Sequence, residues 1–593
     1  MKYKGKEVKI TPQEINSKLD ELIAKDTFGE DFIFRPNQRK TVVKIAFLYL
    51  NQLCDNVILD APTGSGKSII AIVTSKLLRE WKKEGYIITS NLELQAQYER
   101  DVNKMNLQWG SIKGMANYNC DVNGKSFPQG ECKVRGFSNE KIQKLACYNT
   151  CNYYMSRLKA IHSSISILNY SYYLLQRNYV AERQKYANET IAFKERDFVF
   201  FDEAHKIDDI VQNHFRVRFS QQTLERLTEL MELLEDEGLL KSEIDTTNLM
   251  LDYSAIMDEE DFDENMQALR NIRKVLKSLV DTTPDIRSKI NKDHPLNLKN
   301  KKDIPKVYTK ILSGLELIKD INCKIEDYVE IVEKNENTYV KTLFKDKEEV
   351  VYNLLEDVEL IKMKLHSHVK FGIFMSATFG NPDVWANLTG TENYEVIQLD
   401  TTWDYSKSPI VIMHTPKLTW KNKEKSWPTI VKRFDEILNK HNDERGIVHT
   451  GNFSFMTRIL KDSKHKKRLF TYTNTKEKMI VMPKFKKSKN GVLIGPSLLE
   501  GIDLPNELSR FQIFLKVPYR QITDNFTQQK MRYNSKWYSW KTAISITQGI
   551  GRSIRNDGDY AVTYLLDGSF KDFITYNSNM LEKFIVDRMH YES

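Results

Sequence analysis

Cysteine is scarce in this chain, six among 593 residues, and that scarcity excludes a disulfide scaffold. No apolar run reaches the roughly 18 residues needed to span a bilayer. The amino terminus, Met1-Lys-Tyr-Lys-Gly-Lys-Glu7, leads into polar residues rather than an apolar signal core. Together these absences predict a soluble intracellular protein without a membrane partner. No internal repeat or low-complexity linker stands out. One hydrophobic core cannot organise a chain of this length, so several domains are expected. The composition, 40% hydrophobic and 28% charged, is ordinary for globular proteins and names no function. A net charge of +9 spread over the whole chain gives only mild support to a polyanionic partner such as nucleic acid.

What is present is concentrated. Cys120, Cys132, Cys147 and Cys151 cluster between a phosphate-binding loop, Ala61-Pro-Thr-Gly-Ser-Gly-Lys-Ser68, and an acidic motif, Asp202-Glu-Ala-His205. Clustered thiols in a reducing compartment favour metal ligation or an iron–sulfur element. The gaps of eleven, fourteen and three residues do not form the paired Cys-x-x-Cys knuckles of most structural zinc sites. Iron–sulfur ligation suits them better, and structural zinc stays open. Cys54 and Cys323 read as ordinary packed or surface thiols. Tyr118, Tyr148, Tyr153 and Tyr154 adjoin the cluster, either to stack on splayed bases or to pack around the metal element.

The apolar runs predict an α/β chain. Residues 55–60 read as a buried strand entering a Gly-rich turn, and 68–78 as the helix leaving it, the context a P-loop requires. Residues 85–90 and 197–202 are further continuous apolar runs, as in central parallel strands covered on both faces. A second set, at 446–450, 491–495, 511–515 and 560–566, outlines a second α/β lobe. Between the lobes, residues 215–360 are poor in glycine and repeat apolar residues at helical spacing, as in 224–234, which predicts a helical insertion. Its acidic run, 257–264, reads as a solvated helix end or loop, with a partner-binding surface as the alternative. The densest basic region, 464–468 with 484–489, is either a solvated loop and helix end or a track for a phosphate backbone.

The chemistry follows from the motifs. Backbone N–H groups of a P-loop surround phosphate oxygens, so Thr63, Gly64, Ser65, Gly66, Lys67 and Ser68 are candidate ATP-binding residues, with Lys67 on the terminal phosphates. Ser68 and Asp202 are the candidate Mg²⁺ ligands, on opposite sides of the ion, and Glu203 orients or deprotonates the attacking water. The loop opens on Ala61 rather than Gly, and its later glycines make the tight turn. Hydrolysis also needs positive charge delivered from a second lobe. Gln548-Gly-Ile-Gly-Arg-Ser-Ile-Arg555 provides it: three apart on a helix, Arg552 and Arg555 share one face beside Gln548 and can point into an inter-lobe cleft. The bland alternative is a pair of surface arginines.

These residues resemble the XPD/DinG family of superfamily 2 helicases, which carry an iron–sulfur cluster. The resemblance covers most of the chain and includes Arg35-Pro-Asn-Gln38, Thr89-Ser-Asn-Leu-Glu-Leu-Gln95, Asn169-Tyr170, Ser376-Ala-Thr378, Glu500-Gly-Ile-Asp-Leu-Pro505, Lys516-Val-Pro518 and the arginine motif. It adds Gln38 and Asp503 to the nucleotide-binding residues and makes Gln548 a catalytic one. It implies two RecA-like parallel-sheet motor lobes and a [4Fe–4S] cluster on the four cysteines. The expected division is a first lobe at 1–110, 161–214 and 361–400, an iron–sulfur domain at 111–160, a helical arch at 215–360 and a second lobe at 401–593. The implied activity is Mg-ATP-driven translocation on single-stranded DNA, 5′ to 3′, by a monomeric motor that opens forked or tailed duplexes. Repair or replication in a bacterial or viral-host cytoplasm, or in a eukaryotic nucleus, would be the setting. Two departures stand out: Asp567-Gly-Ser569 replaces the family's frequent Asp-x-Arg, and the stretch before Arg35 is too short for the exonuclease domain of some relatives. The competing readings are an ATPase that remodels protein–DNA or RNA–DNA complexes without processive unwinding, and a redox protein, which the full set of motor motifs disfavours.

Overall fold

In a computed structural model, the structure describes residues 2–29, 32–62, 64–134, 137, 139–180, 192–239, 247–258, 261–293, 306–334, 338–344, 348–399, 405–496, 498, 504, 506–553 and 559–592. A short hairpin, β1 (Lys2–Tyr3) and β2 (Lys6–Glu7), precedes the first lobe. That lobe takes β3 (Asn56–Asp60), β4 (Gly85–Thr89), β5 (Gly110–Ser111), β6 (Ile165–Asn169) and β7 (Phe198–Asp202). The chain then leaves for an insertion carrying β8 (Val217–Ser220), β9 (Tyr339–Phe344) and β10 (Glu349–Leu354). It returns to the first sheet with β11 (Gly372–Ser376) and β12 (Tyr394–Gln398).

The first sheet has the order β12-β3-β11-β7-β4-β6-β5, and every pairing is parallel. The second lobe repeats the plan with β13 (Ile410–Ile412), β14 (Gly446–His449), β15 (Leu469–Phe470), β16 (Val492–Gly495), β17 (Phe511–Phe514), β18 (Val562–Leu565) and β19 (Met589–Tyr591). Its order, β15-β16-β14-β17-β18-β13-β19, is again all parallel. These are two RecA-like lobes. The continuous apolar runs become central strands for the expected reason: β7 and β11 are buried at every position because helices cover both faces.

The insertion is less purely helical than its sequence predicts. The helices Gln221–Asp236, Phe262–Asp293 and Lys306–Lys334 bury residues at three- and four-residue spacing, such as Leu269, Ile272, Leu276 and Leu279 against Ile311, Leu315 and Ile318. Beneath them, β8, β10 and β9 form an antiparallel sheet. These strands are only four to six residues long, so their signal is lost beside the long helical pattern. In the acidic run, the Asp261 carboxylate accepts from the Glu264 N–H at 3.1 Å and caps the helix that follows. Among the described residues, no helix is long and apolar enough to cross a membrane.

Candidate nucleotide site and thiol cavity

Sheet order creates the site. β3, β11 and β7 are neighbours, so the loops leaving their carboxyl ends, the P-loop, Ser376-Ala-Thr378 and the acidic motif, meet at one edge. A cleft of about 580 Å³ opens there, lined by Arg35, Gln38, Gly64, Gly66, Lys67, Ser68, Asp101, Asp202 and Glu203. Gly64 and Gly66 hold φ of 86° and 77°, as the tight turn requires. Gly66 meets a second constraint, since a Cβ there would lie 2.2 Å from the Gln38 amide nitrogen. Gln38 is turned onto the loop, donating to the Ser65 carbonyl at 2.8 Å and accepting from the Arg35 N–H at 2.8 Å, while the Arg35 guanidinium donates to the Gly64 carbonyl. Lys67 Nζ donates to the Ala61 carbonyl at 3.3 Å.

Asp202 ends β7 almost fully buried. Its Oδ2 accepts from the Tyr98 hydroxyl at 2.8 Å and its Oδ1 from the Glu203 N–H at 2.9 Å. Burial pushes its carboxyl up, against the pull of Lys67. Glu203 takes the left-handed conformation, φ 53°, uncommon for a side chain of this kind and a local strain held by the surrounding turn. His205 lies beneath it, and burial pushes its imidazole down to about 3, so the ring is neutral. The Gln548 amide nitrogen, a donor only, sits 2.6 Å from His205 Nε2, which must therefore accept. The proton is left on Nδ1, which faces Ser376 Oγ at 2.8 Å and Glu203 Oε2 at 3.3 Å. Hydrogen bonds thus run from Ser376 through His205 to Gln548 in the second lobe, with the Glu203 carboxylate beside the same ring.

Other contacts reinforce that crossing. Lys541 pairs with Asp208 at 2.6 Å and Asp209 at 2.9 Å, Arg520 pairs with Asp209 at 2.6 Å, and Trp540 Nε1 donates to the Phe379 carbonyl at 2.8 Å. Arg552 departs from its sequence reading. The helix Ser535–Ile550 stops at Gly551, and Arg552 lies in the turn beyond, its N–H bonded to the Gly549 carbonyl at 3.1 Å. Two glycines at the helix end favour termination. Arg555, Thr63 and Asp503 lie outside the described residues. Asp567 is buried and accepts from the N–H groups of Leu418 and Ser569, both at 2.9 Å.

The four clustered cysteines line one apolar cavity of about 190 Å³, walled by Phe127, Phe137, Ile142, Leu145 and Tyr154. All four thiols are free. Burial pushes the Cys132 and Cys147 thiols up. Gly130 is needed for close approach, since a Cβ there would stand 3.2 Å from Cys120 Sγ and 2.9 Å from the Phe127 carbonyl. Tyr153 and Tyr154 are buried and pack on Phe127, with ring centroids 4.4 and 5.4 Å away, so these two tyrosines are wall rather than base-stacking surface. Among the described residues, no three His, Cys, Asp or Glu side chains converge tightly enough to share one metal ion. Thiols spread around a cavity suit a polynuclear group better than a single zinc ion, whose ligands gather on one point.

In the basic region, Arg468 is buried and donates to the carbonyls of Leu438, His441 and Asn490 at 2.7, 2.8 and 2.9 Å. It is structural, whereas Lys486 and Lys487 end the helix Thr475–Lys487 exposed. Sequence reading missed Tyr98 and Asp101, and it assigned no role to His205 or Ser376. The partners of all four come from distant segments. Only the placement of His205 and Ser376 inside recognisable motifs offered a signal.

Residues 31–228 match the family described as type III restriction enzyme, res subunit, and residues 435–585 match the helicase C-terminal domain. Over 91% of this chain and 92% of its own length, a Methanocaldococcus jannaschii protein described as a "probable ATP-dependent helicase" is 22% identical. A shorter stretch, 18% of this chain, is 27% identical to a tenth of the Fanconi anemia group J protein homolog of Gallus gallus. Among solved structures, Xpd4 of S. tokodaii superposes with a TM-score of 0.58 at 14% identity, covering 94% of this chain and all of that one. An XPD helicase follows at 0.57 and 17%, with the same coverage. A helicase C-terminal match in the second lobe, a probable ATP-dependent helicase as a relative along nearly the whole length and the fold of the XPD structures make this chain similar, from end to end, to ATP-dependent helicases.

Proposed function

We propose that this chain is an ATP-dependent DNA helicase that moves 5′ to 3′ along one strand and opens forked or tailed duplexes. The observation that carries the reading is the His205–Gln548 contact, which sets the acidic motif, with its Glu203 carboxylate 3.3 Å from the same ring, against the second lobe. Lobe closure and hydrolysis are thereby linked, as a motor requires.

Within the cleft, Lys67 moves from the Ala61 carbonyl onto the terminal phosphates, and the loop amides surround the remaining oxygens. Ser68 and Asp202 offer a hydroxyl and a carboxylate, the oxygen donors a hard divalent cation accepts, and phosphates complete such a shell. Bound Mg²⁺ would neutralise charge developing on the phosphates. Glu203, beside His205 Nδ1, takes the proton of the attacking water. Arg552 and Arg555 supply positive charge from the second lobe. Cys120, Cys132, Cys147 and Cys151 would hold a [4Fe–4S] cluster, whose part is to cross-link a segment too short for its own core.

Strand displacement by anaerobically purified protein on duplexes with a 5′ or a 3′ tail tests this. Release from the 5′-tailed duplex alone, with ATP and Mg²⁺, is expected, and Lys67→Ala should reduce it at least about a hundredfold. Hydrolysis without release from either duplex would overturn the unwinding claim.

A further inference from the structure

The helix Leu92–Lys104 begins after β4 and has no place in the P-loop chemistry above, yet it touches both proposed magnesium ligands. Tyr98 and Asp101, one turn apart, share a face of it. The Tyr98 hydroxyl donates to Asp202 Oδ2 at 2.8 Å, and Asp101 Oδ2 accepts from the Ser68 hydroxyl at 3.3 Å. Tyr98 is fully buried. Asp101 lines the nucleotide cleft and also a smaller adjoining hollow beside Phe28, Phe32 and Ile69. The helix is itself anchored one turn earlier, where buried Gln95 donates to Ser111 Oγ at 2.9 Å and to the Ile112 carbonyl at 3.0 Å.

A serine hydroxyl that ligates a cation does so through an oxygen lone pair, so its proton must point elsewhere. An acceptor held on the far side of that proton fixes the lone pair toward the ion and raises its basicity, as the outer partners of metal ligands do. Asp101 stands in that position. We propose that Asp101 and Tyr98 are positioning residues of the nucleotide site: Asp101 takes the Ser68 proton so that the Ser68 oxygen faces the cleft, and Tyr98 fixes Asp202, making one helix the support for both Mg²⁺ ligands. Asp101 also places a negative charge beside the triphosphate, which weakens nucleotide binding until the cation arrives. The cleft therefore discriminates Mg-ATP from free ATP.

This inference rests on the ATP reading. Its test is the binding of a fluorescent ATP analogue, with EDTA and with Mg²⁺, to the full chain and to Asp101→Asn and Tyr98→Phe. Asp101→Asn should bind metal-free nucleotide roughly a few fold more tightly, because a repulsion is gone. It should lose about tenfold of the Mg²⁺-dependent gain. Tyr98→Phe, nearly isosteric and so expected to fold, should lose about threefold to tenfold of that gain with metal-free binding unchanged. The two effects of Asp101→Asn have opposite signs, which a general loss of structure would not produce. An unaltered Mg²⁺ gain in both variants, or a parallel loss with and without metal, overturns the proposal. A wild-type chain that binds no nucleotide in either condition overturns instead the ATP reading beneath it.

Discussion

The nucleotide cleft and the thiol cavity are of opposite character. The nucleotide cleft is open and polar, and its hydrogen bonds run onward into the other lobe. The thiol cavity is apolar and walled by residues between Cys120 and Tyr154 alone. One is shaped by contact across an interface and can respond to it. The other depends on what fills it, because its walls come from one short segment, too small to bury much surface by itself around four free thiols. The cleft should therefore lose function by graded steps when its contacts are cut, and the thiol segment should fail as a unit.

The largest effect is expected at the thiols. Cys132→Ser should abolish the iron content and visible absorbance of anaerobically purified protein and lower duplex release at least about tenfold. ATP hydrolysis should fall less, because no thiol lines the cleft. Wild-type protein without iron, or a variant that keeps it, would remove the contrast between the two cavities.

A smaller, graded loss is expected where the cleft crosses to the second lobe. Gln548→Ala leaves His205 Nε2 without its donor, so the His205 tautomer and the Glu203 carboxylate lose part of their orientation. Steady-state hydrolysis should show kcat down about threefold to tenfold, with KM little changed. A rise in KM alone would assign Gln548 to nucleotide binding instead.

The same contrast decides what could be read from sequence. The P-loop and the acidic motif were legible because their chemistry depends on neighbours in the chain: Gly64 and Gly66 shape one turn, and Asp202 and Glu203 end one strand. The central strands were legible because burial on both faces leaves unbroken apolar runs. The antiparallel sheet of the insertion was not, since Val217–Ser220 is four residues long and its partners lie more than a hundred residues on. Arg552 falls in the turn after its helix, because two glycines outweighed helical spacing. Tyr98, Asp101 and Glu582 were silent, since each acquires meaning only from a partner the fold supplies.

Glu582 offers the finest distinction. It is buried between the lobes, accepts from the Gly380 N–H at 2.6 Å and shares a hydrogen bond with Asp60, the last residue of β3 before the P-loop. Two buried carboxyls cannot both ionise cheaply, so the Glu582 carboxyl is pushed well above its ordinary range. Burial pushes Asp60 up to about 6, opposed by its bonds to Glu582 and Gln398 and by Lys67. A raised acid holds a proton in the folded state that the unfolded chain has already lost. The pair's contribution is therefore most favourable below the ordinary carboxylate range, falls as pH rises through about 6, and keeps falling until Glu582 itself ionises. Glu582→Gln keeps an acceptor for Gly380 and gives Asp60 an amide donor while removing one charge. The variant should be more stable than the wild type at pH 8, by on the order of 1 kcal/mol, with the difference shrinking toward pH 4. Thermal melting across that range would show it, and a difference independent of pH would mean that the contact between the lobes does not respond to protons.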